Sequence, residues 1–375
     1  MKAADPTIKV GLPGVQGEDS FFDFLGGSAE NPRTGEFHYG WTPIVLSTLQ
    51  SLGVTPDFIS YHYYPQFFND NDANLLSQTN WAADAADLRQ QLSDYLGLPS
   101  TNIELVCTEN NNDSGDEGVQ STSIVNALYL ADGIAQVSKT EFNAYVWWDL
   151  RNGATTNGTF GSGLYGWRTN GDEGLLLGST TRYPMFYTMK LMQYFAQPGD
   201  IILDAGSSDP LLPAYAAHKV DGSISVLVIN KDPTNTYTRS ITLGNYTPNS
   251  VATVRSYGIP QDEAARTNAP LSAQNIATNS VTGSAGFSYS FSPYSVTLFT
   301  VAPEAPILFQ PKTSGHSLIF YLNGQSNVSY VVEASPDLKQ WIPVQTNRLP
   351  GGAVAITNLI NPGIPSQFLR AKWLP

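Results

Sequence analysis

One stretch of the chain constrains its fold more than any other, the mostly apolar run 103–108 that ends in Glu109. A brief apolar run followed at once by a polar turn, here 110–115, predicts a strand buried in a parallel sheet. A glutamate at the C-terminal end of such a strand lies where parallel barrels hold their catalytic groups. Because side chains alternate along a strand, we expect Glu109 to share a face with Cys107 and Leu105. The alternative is a glutamate that caps a helix or pairs with a surface lysine.

Three further segments have the same form. They are residues 8–14, ending in a Gly/Pro turn, residues 57–65, ending in aromatics and one histidine, and residues 142–149, ending in paired tryptophans. Helical spacing of apolar residues occurs at 41–52, 81–96, 121–137 and 181–195. Strand and helix thus alternate about four times, which predicts parallel βα units and an α/β first region.

Charge and composition exclude several classes of function. The net charge of −13 argues against nucleic acid and anionic membranes as partners, since both need patches of Lys and Arg. No apolar run is long enough to cross a bilayer. The four histidines and single cysteine show no metal-ligand spacing, and no phosphate-binding Gly-rich loop precedes a helix, so neither metal nor cofactor is expected. Cys107 cannot form an intrachain disulfide and is expected to be a buried structural thiol.

The remainder of the chain predicts all-β structure. Short strand patterns separated by turns, with Asp221-Gly222 as a hairpin signal, predict a β-sandwich over 198–302. Residues from about 262 to 282 are polar and are expected to form a long loop. A Pro-containing linker follows, and a small all-β module is expected over 303–375.

The beginning of the chain has an unusual pattern. Residues 1–7 lack the charged and apolar regions of a signal peptide and instead resemble the last turn of a helix before a Pro turn. We therefore expect Met1 to be an internal methionine of a longer ancestral protein, and residues 1–197 to be the C-terminal half of a (β/α)8-type barrel. Such a partial barrel would expose two sheet edges and an apolar inner face, which predicts a homo-oligomer or a covering partner.

The placed segments resemble a known superfamily. Residues 57–65 correspond to a sixth barrel strand, Cys107-Thr108-Glu109-Asn110 to a seventh, Val146-Trp147-Trp148-Asp149 to an eighth, and residues 182–187 to the start of the last helix. Over about residues 1–302 the chain resembles retaining glycoside hydrolases of clan A that carry a trailing β-sandwich, such as α-L-arabinofuranosidases, β-xylosidases and family 44 endoglucanases. The resemblance implies a hydrolase of xylan, arabinan or β-glucan with Glu109 as nucleophile.

One departure from this pattern affects the chemistry. The family carries its general acid in an Asn-Glu pair on the fourth strand, and no Asn-Glu pair precedes Glu109 here. Possible substitutes are Glu18, Asp19, Asp116 and Glu117, although a solvated loop charge is the favoured interpretation of each.

The neighbours of Glu109 suggest a sugar site. His62 and Tyr64, at the end of the adjacent strand, can hold a carboxylate ionised. Of two tryptophans on opposite faces, Trp148 is expected to stack on a sugar ring. We also expect Asn110, which follows Glu109 in the sequence, to contact the substrate. In the last module, Trp341 is either a core residue or a sugar platform.

Two functions remain open from the sequence. The first is a glycoside hydrolase of the plant-polysaccharide type, as the resemblance implies. The composition, rich in Tyr, Trp, Asn, Gly and Thr and poor in Lys, suits an exported bacterial protein that handles neutral polar substrates. The second is a non-catalytic carbohydrate-binding or structural remnant, in which the sandwich and the last module carry the interaction. A serine hydrolase is disfavoured because no Gly-x-Ser-x-Gly elbow with suitable partners is present.

Overall fold

The computed structural model describes residues 1–12, 27–66, 70–78, 80–267, 275–363 and 366–374, with the backbone alone at 98–99. It is a mixed α/β protein that divides into two compact units. The first is Met1–Lys190 with Gly258–Asn275, and the second is Leu191–Tyr257 with Ile276–Pro375. The domain boundaries expected near residues 197 and 302 stay predictions.

The first part of the chain alternates strands and helices. Strands β1 to β8 are Gly11–Leu12, Ser28–Glu30, Phe37–Tyr39, Phe58–Tyr63, Glu104–Asn110, Phe142–Tyr145, Leu176–Leu177 and Thr181–Arg182. Helices α1 to α5 are Trp41–Leu52, Asp72–Ser77, Trp81–Leu96, Ile124–Val137 and Pro184–Met192, and a 3-10 helix covers Leu98–Asn102. Helix α6, Ile259–Ala264, occurs later in the chain but belongs to the first unit. The predicted helices 41–52 and 81–96 are confirmed at both ends.

Four of these strands form one parallel sheet in the order β1-β4-β5-β6. One face of the sheet packs on the helices through a core that includes Ile59, Leu105, Trp81 and Leu88. The loops after β4, β5 and β6 therefore meet at one edge of the sheet, as the alternation of strands and helices predicted. None of the helices in the described ranges combines the length and apolarity needed to cross a membrane.

A β-bulge in β5 changes the direction of Glu109. Tyr61 pairs with Cys107, but the next residue, His62, pairs with Glu109, so Thr108 is one residue too many in the ladder. Cys107 is fully buried on the helix side, whereas Glu109 is part-exposed beside His62. The expectation that Glu109 shares the face of Cys107 and Leu105 is wrong, because the bulge interrupts the two-residue alternation.

The open face of the sheet is polar at this end. It carries His62, Glu109 and the hydrogen-bonded pair Ser60 and Thr108, whose hydroxyls lie 2.7 Å apart. The expectation of an apolar inner face is therefore wrong for this end of the sheet. Within the described ranges no strand pairs with the outer edges of β1 and β6, so the predicted oligomer or partner stays a prediction.

The second unit is built of strands. Strands β9 to β16 are Ile201–Leu203, Ala214–His218, Ile224–Asn230, Tyr237–Thr242, Pro248–Gly258, Ala277–Thr282, Gly286–Phe291 and Ser295–Pro303. Six form a sheet in the order β14-β13-β16-β11-β10-β9, and β12 pairs with β15. Both sheets contribute to one apolar core that includes Phe291, Phe299 and Val226. The prediction of a long loop at 262–282 is wrong in part, because this segment contains the end of α6 and all of β14. Residues 268–274 lie outside the described ranges.

The last module consists of two three-stranded sheets. Strands β17 to β22 are Ile307–Ser314, Ser317–Asn323, Ser329–Ser335, Ile342–Arg348, Val354–Leu359 and Phe368–Trp373. They pair in the orders β17-β18-β21 and β20-β19-β22 around a core that contains Phe320 and Tyr330. Trp341 is half-buried, and the Arg370 guanidinium lies 4.1 Å from its ring centre.

Candidate functional site

Glu109 lies at the C-terminal end of β5, one of the two central strands of the parallel sheet. The Tyr64 hydroxyl donates a hydrogen bond of 3.0 Å to Glu109 Oε2, and His62 Nδ1 lies 3.3 Å from the same oxygen. The glutamate side chain is 27% exposed, so it is neither enclosed beneath a helix nor free in solvent. One carboxylate oxygen is thus held from one side while the group stays accessible.

Tyr64 is separated from its neighbouring tyrosines by the way β4 ends. Tyr61 and Tyr63 pack against Trp81 on the helix side, with ring centres 6.0 and 5.3 Å away. Tyr64 follows the last residue of β4 and turns to Glu109 instead. Burial and the adjacent Glu109 raise the pKa of Tyr64, so its hydroxyl remains a neutral donor.

Asn110 supports the end of the strand. Its amide nitrogen donates to the Tyr63 carbonyl at 2.7 Å and to the Tyr129 hydroxyl at 2.8 Å, and its oxygen accepts from the Tyr145 hydroxyl. Gly133 makes room for that hydroxyl, since a Cβ there would lie 2.6 Å from it. The side chain is completely buried. This corrects the expected substrate contact of Asn110, because no exposed polar group is left for a ligand.

The two tryptophans after β6 point in opposite directions. Trp147 is 7% exposed, and its ring centre lies 6.2 Å from that of Tyr129. Trp148 is 40% exposed, and its backbone N–H donates to the Asn110 carbonyl at 3.0 Å. The structure therefore leaves Trp148, at the same end of the sheet as Glu109, with an accessible aromatic surface. The peptide bond between Trp148 and Asp149 is cis.

Asn111 connects three loops at this edge. Its amide nitrogen donates to the Glu173 carbonyl at 2.9 Å and to the Trp148 carbonyl, and its oxygen accepts from the Asn112 backbone at 2.8 Å. The same oxygen accepts from Asn126 Nδ2, in α4, at 2.9 Å. All four hydrogen-bonding positions of a completely buried amide are thus used.

Glu173 is a candidate site residue that the sequence analysis missed. It is 6% exposed, and its carboxyl accepts from the Trp148 indole and, at 3.3 Å, from Asn152 Nδ2. Burial and the nearby carboxylates of Glu117 and Asp113 raise its pKa to about 8. Glu173 lies in a loop without strand periodicity; the available signal was an Asp-Glu pair between two glycines after the eighth-strand motif.

The other proposed acids have different surroundings. Asp116 accepts a hydrogen bond from the Thr159 hydroxyl, while Glu18 and Asp19 lie outside the described residues. Burial, together with Asp113 and Asp116, raises the pKa of Asp70 to about 7. Despite this number of carboxylates, the described residues contain no group of three or more His, Cys, Asp or Glu side chains arranged to hold a metal ion.

Two cavities, of about 640 and 500 Å³, lie in the second unit. The larger is lined mostly by apolar core residues between its sheets, such as Leu212 and Phe291, and neither cavity is lined by Glu109. Their position gives no reason to move the candidate site away from the edge of the parallel sheet, where the perturbed carboxyls gather.

No protein-family model matches the chain, and no curated protein matches its sequence. Solved structures do resemble it. A bifunctional glucanase-xylanase from a metagenome library is 20% identical, with a TM-score of 0.52 over 80% of this chain and 57% of that one. An α-L-arabinofuranosidase from Thermotoga maritima is 15% identical, with a TM-score of 0.52 over 80% of this chain and 59% of that one.

A family 39 β-xylosidase from Caulobacter crescentus is 16% identical, with a TM-score of 0.51 over 80% of this chain and 59% of that one. The chain therefore spans less than two thirds of the length of these enzymes. At such identities the similarity concerns the fold alone, and at that level the expected resemblance to clan A glycoside hydrolases is confirmed.

Proposed function

We propose that the protein is a retaining glycoside hydrolase acting on a plant-type polysaccharide or oligosaccharide, with Glu109 as nucleophile. One observation carries the proposal: an accessible carboxylate at the C-terminal end of a central parallel strand, hydrogen-bonded by Tyr64 and adjacent to His62. Such strand ends hold the catalytic groups of (β/α)8 enzymes. We take the four-stranded sheet to be part of a barrel of that type.

In this mechanism Glu109 attacks the anomeric carbon of the sugar. The Tyr64 hydroxyl orients one oxygen, so the other oxygen is free to bond carbon. The exposed indole of Trp148 offers a flat apolar surface on which a sugar ring can stack. A retaining enzyme also needs a second carboxyl group that protonates the leaving oxygen.

The fold neighbours suggest the class of substrate. Their names refer to glucanase, xylanase, arabinofuranosidase and β-xylosidase activities. Xylan, arabinan and β-glucan are therefore the substrates to test first. Because such polymers lie outside cells, we also propose an exported, extracellular protein.

An activity screen tests the proposal. Aryl glycosides, xylan, arabinan and β-glucan are incubated with the wild-type protein, with Glu109→Gln, and with Glu104→Gln as a matched control. Glu104 lies at the other end of the same strand, in an ion pair with Lys9. We expect turnover in the wild type and the control and its loss in Glu109→Gln. Equal turnover in all three would remove Glu109 from the mechanism.

The outer edges of β1 and β6, with which no strand of the described residues pairs, lead to a second proposal. We propose that β1 and β6 are covered in solution by another copy of the chain or by a partner, because unpaired strand edges readily pair with other strands. Light scattering of the purified protein tests this directly. A monodisperse monomer would contradict it.

A non-catalytic carbohydrate-binding or structural role is the alternative. It is favoured because no Asn-Glu pair precedes Glu109 in the sequence. Isothermal titration with xylan, arabinan and β-glucan oligosaccharides separates the two functions. Binding that is unaffected by Glu109→Gln and occurs without turnover would support the alternative.

A further inference from the structure

We propose that Glu173 is the catalytic proton donor that works with Glu109. The inference rests on the proposed glycosidase function and names the second carboxyl that this function requires. Its first support is position. The Glu173 carbonyl accepts from Asn111 at 2.9 Å and from the Asp149 backbone at 3.1 Å, so the Glu173 backbone is fixed beside the ends of β5 and β6.

Two side chains connect Glu173 with Glu109. Tyr64 donates its hydrogen bond to Glu109 and at the same time lies within the electrostatic influence of Glu173. The Trp148 indole donates to the Glu173 carboxyl while the rest of its ring is exposed. A sugar stacked on Trp148 would therefore lie beside the Glu173 carboxyl, at the same end of the sheet as Glu109. Retaining hydrolysis needs two carboxyl groups in one site.

The surroundings of Glu173 favour its protonated form. Its carboxyl is buried and faces the carboxylates of Glu117, Asp113 and Asp149, which come from the loop after β5 and the loop after β6. The Trp148 indole and Asn152 Nδ2 donate to the carboxyl and favour its ionised form, but burial and the neighbouring carboxylates outweigh them. Burial and like charge both disfavour a second negative charge, so the group holds its proton at neutral pH.

The position of Glu117 is fixed by glycines. A Cβ at Gly158 would lie 1.7 Å from the Glu117 carbonyl oxygen, and a Cβ at Gly171 would lie 2.1 Å from it. Only residues without a side chain permit so close a crossing of the loops. The crossing brings the loop of Glu117 against the segment that carries Glu173, and so maintains the repulsion between their carboxyls.

The reaction balances with these two groups alone. The Glu109 carboxylate bonds to the anomeric carbon as the glycosidic C–O bond breaks, and the Glu173 carboxylic acid gives its proton to the departing oxygen. The Glu173 carboxylate then takes a proton from water, whose oxygen bonds to the anomeric carbon and releases Glu109. Glu173 ends as the acid, ready for another cycle.

Leaving-group dependence tests the assignment. Wild type, Glu173→Gln and the exposed control Glu141→Gln are compared on a dinitrophenyl glycoside, whose leaving group needs no proton, and on an unactivated oligosaccharide. We expect Glu173→Gln to lose about 10²–10⁴-fold in kcat/KM on the oligosaccharide, the usual range for a general acid, and far less on the activated glycoside. Azide, a nucleophile that needs no base, should restore kcat of Glu173→Gln on the activated substrate.

The outcomes separate the two proposals. Wild-type turnover with equal losses on both substrates, or with no loss, would overturn the role of Glu173 and leave Glu109 untouched. A wild-type protein that cleaves no glycoside would overturn both. Glu117→Gln gives an independent readout, because it removes a negative charge next to the Glu173 carboxyl. The alkaline limb of the pH–rate profile should therefore move to lower pH. An unmoved limb would contradict the assignment of Glu173.

Discussion

Replacing Asn111 with alanine should destabilise the first unit and detach the loops that carry Trp148 and Glu173. The amide makes its hydrogen bonds while completely buried, two as donor to the Glu173 and Trp148 carbonyls and two as acceptor from Asn112 and Asn126. Alanine has nothing to replace them.

The size of the loss in unfolding free energy depends on which hydrogen bonds each partner of Asn111 keeps. The Asn112 backbone N–H would be orphaned, at a cost of about 1–3 kcal/mol. The Glu173 carbonyl keeps the Asp149 amide and Asn126 keeps the Ser121 carbonyl, so these partners lose about 0.5–1 kcal/mol each, as does the Trp148 carbonyl. Together these losses come to about 2.5–6 kcal/mol, a large share of a typical unfolding free energy of about 5–15 kcal/mol.

Urea denaturation of the variant and of the control Asn143→Ala measures this loss. Asn143 is exposed in β6, so its replacement should change the unfolding free energy by about 0.5 kcal/mol or less. Hydrogen exchange of the peptide that contains β5 then locates the effect in the parallel sheet. Asn111→Asp keeps the shape and the acceptors but not the donors, so it separates lost hydrogen bonds from lost packing.

A loss in Asn111→Ala within about 1 kcal/mol of the control would refute the reasoning, because a single orphaned buried donor already costs that much. Unchanged exchange in β5 would refute it independently. Either result would mean that the hydrogen bonds of Asn111 do not position Trp148 and Glu173.

Three further predictions concern single side chains. Tyr64→Phe removes a charge-assisted hydrogen bond from Glu109 and should lower kcat/KM on glycosides about 10- to 100-fold. The Glu173 carboxyl is protonated when folded and ionised when unfolded between pH 4.5 and about 8, so wild-type stability should fall with rising pH across that window and Glu173→Gln should flatten the slope, as unfolding titrations can show. Cys107 is buried and its pKa is raised to about 12 by that burial, so maleimide should label it only in denaturant.

The sequence predicted the framework of the first unit because its signals are periodic. The helix Trp81–Leu96 presents apolar residues such as Leu88 and Leu92 to the sheet, and β5 is a short run between turns. Helical spacing and apolar runs depend on local sequence alone, so they place elements along the chain. They also placed Glu109 at a strand end beside Tyr64.

The direction of Glu109 could not be predicted in the same way. A bulge depends on the pairing of two strands, and nothing in the local sequence of β5 indicates that Thr108 is the extra residue. The buried amide of Asn110 is a similar case. Its three partners, Tyr63, Tyr129 and Tyr145, come from three elements. Only the assembled fold therefore shows that the amide is already hydrogen-bonded within the protein.

Glu173 escaped the sequence analysis for a related reason, and its surroundings bear on its role. Carboxyls kept for stability usually pair with cations, as Asp262 does with Arg168 at 2.8 Å in the same unit. Glu173 instead gathers acidic neighbours, which oppose ionisation and lower stability at neutral pH. An arrangement that costs stability and is held in place by close glycine crossings is more typical of a functional group than of a structural one. A cation found to bind between Glu173 and Glu117 in solution would remove this reasoning, since the repulsion would then be neutralised.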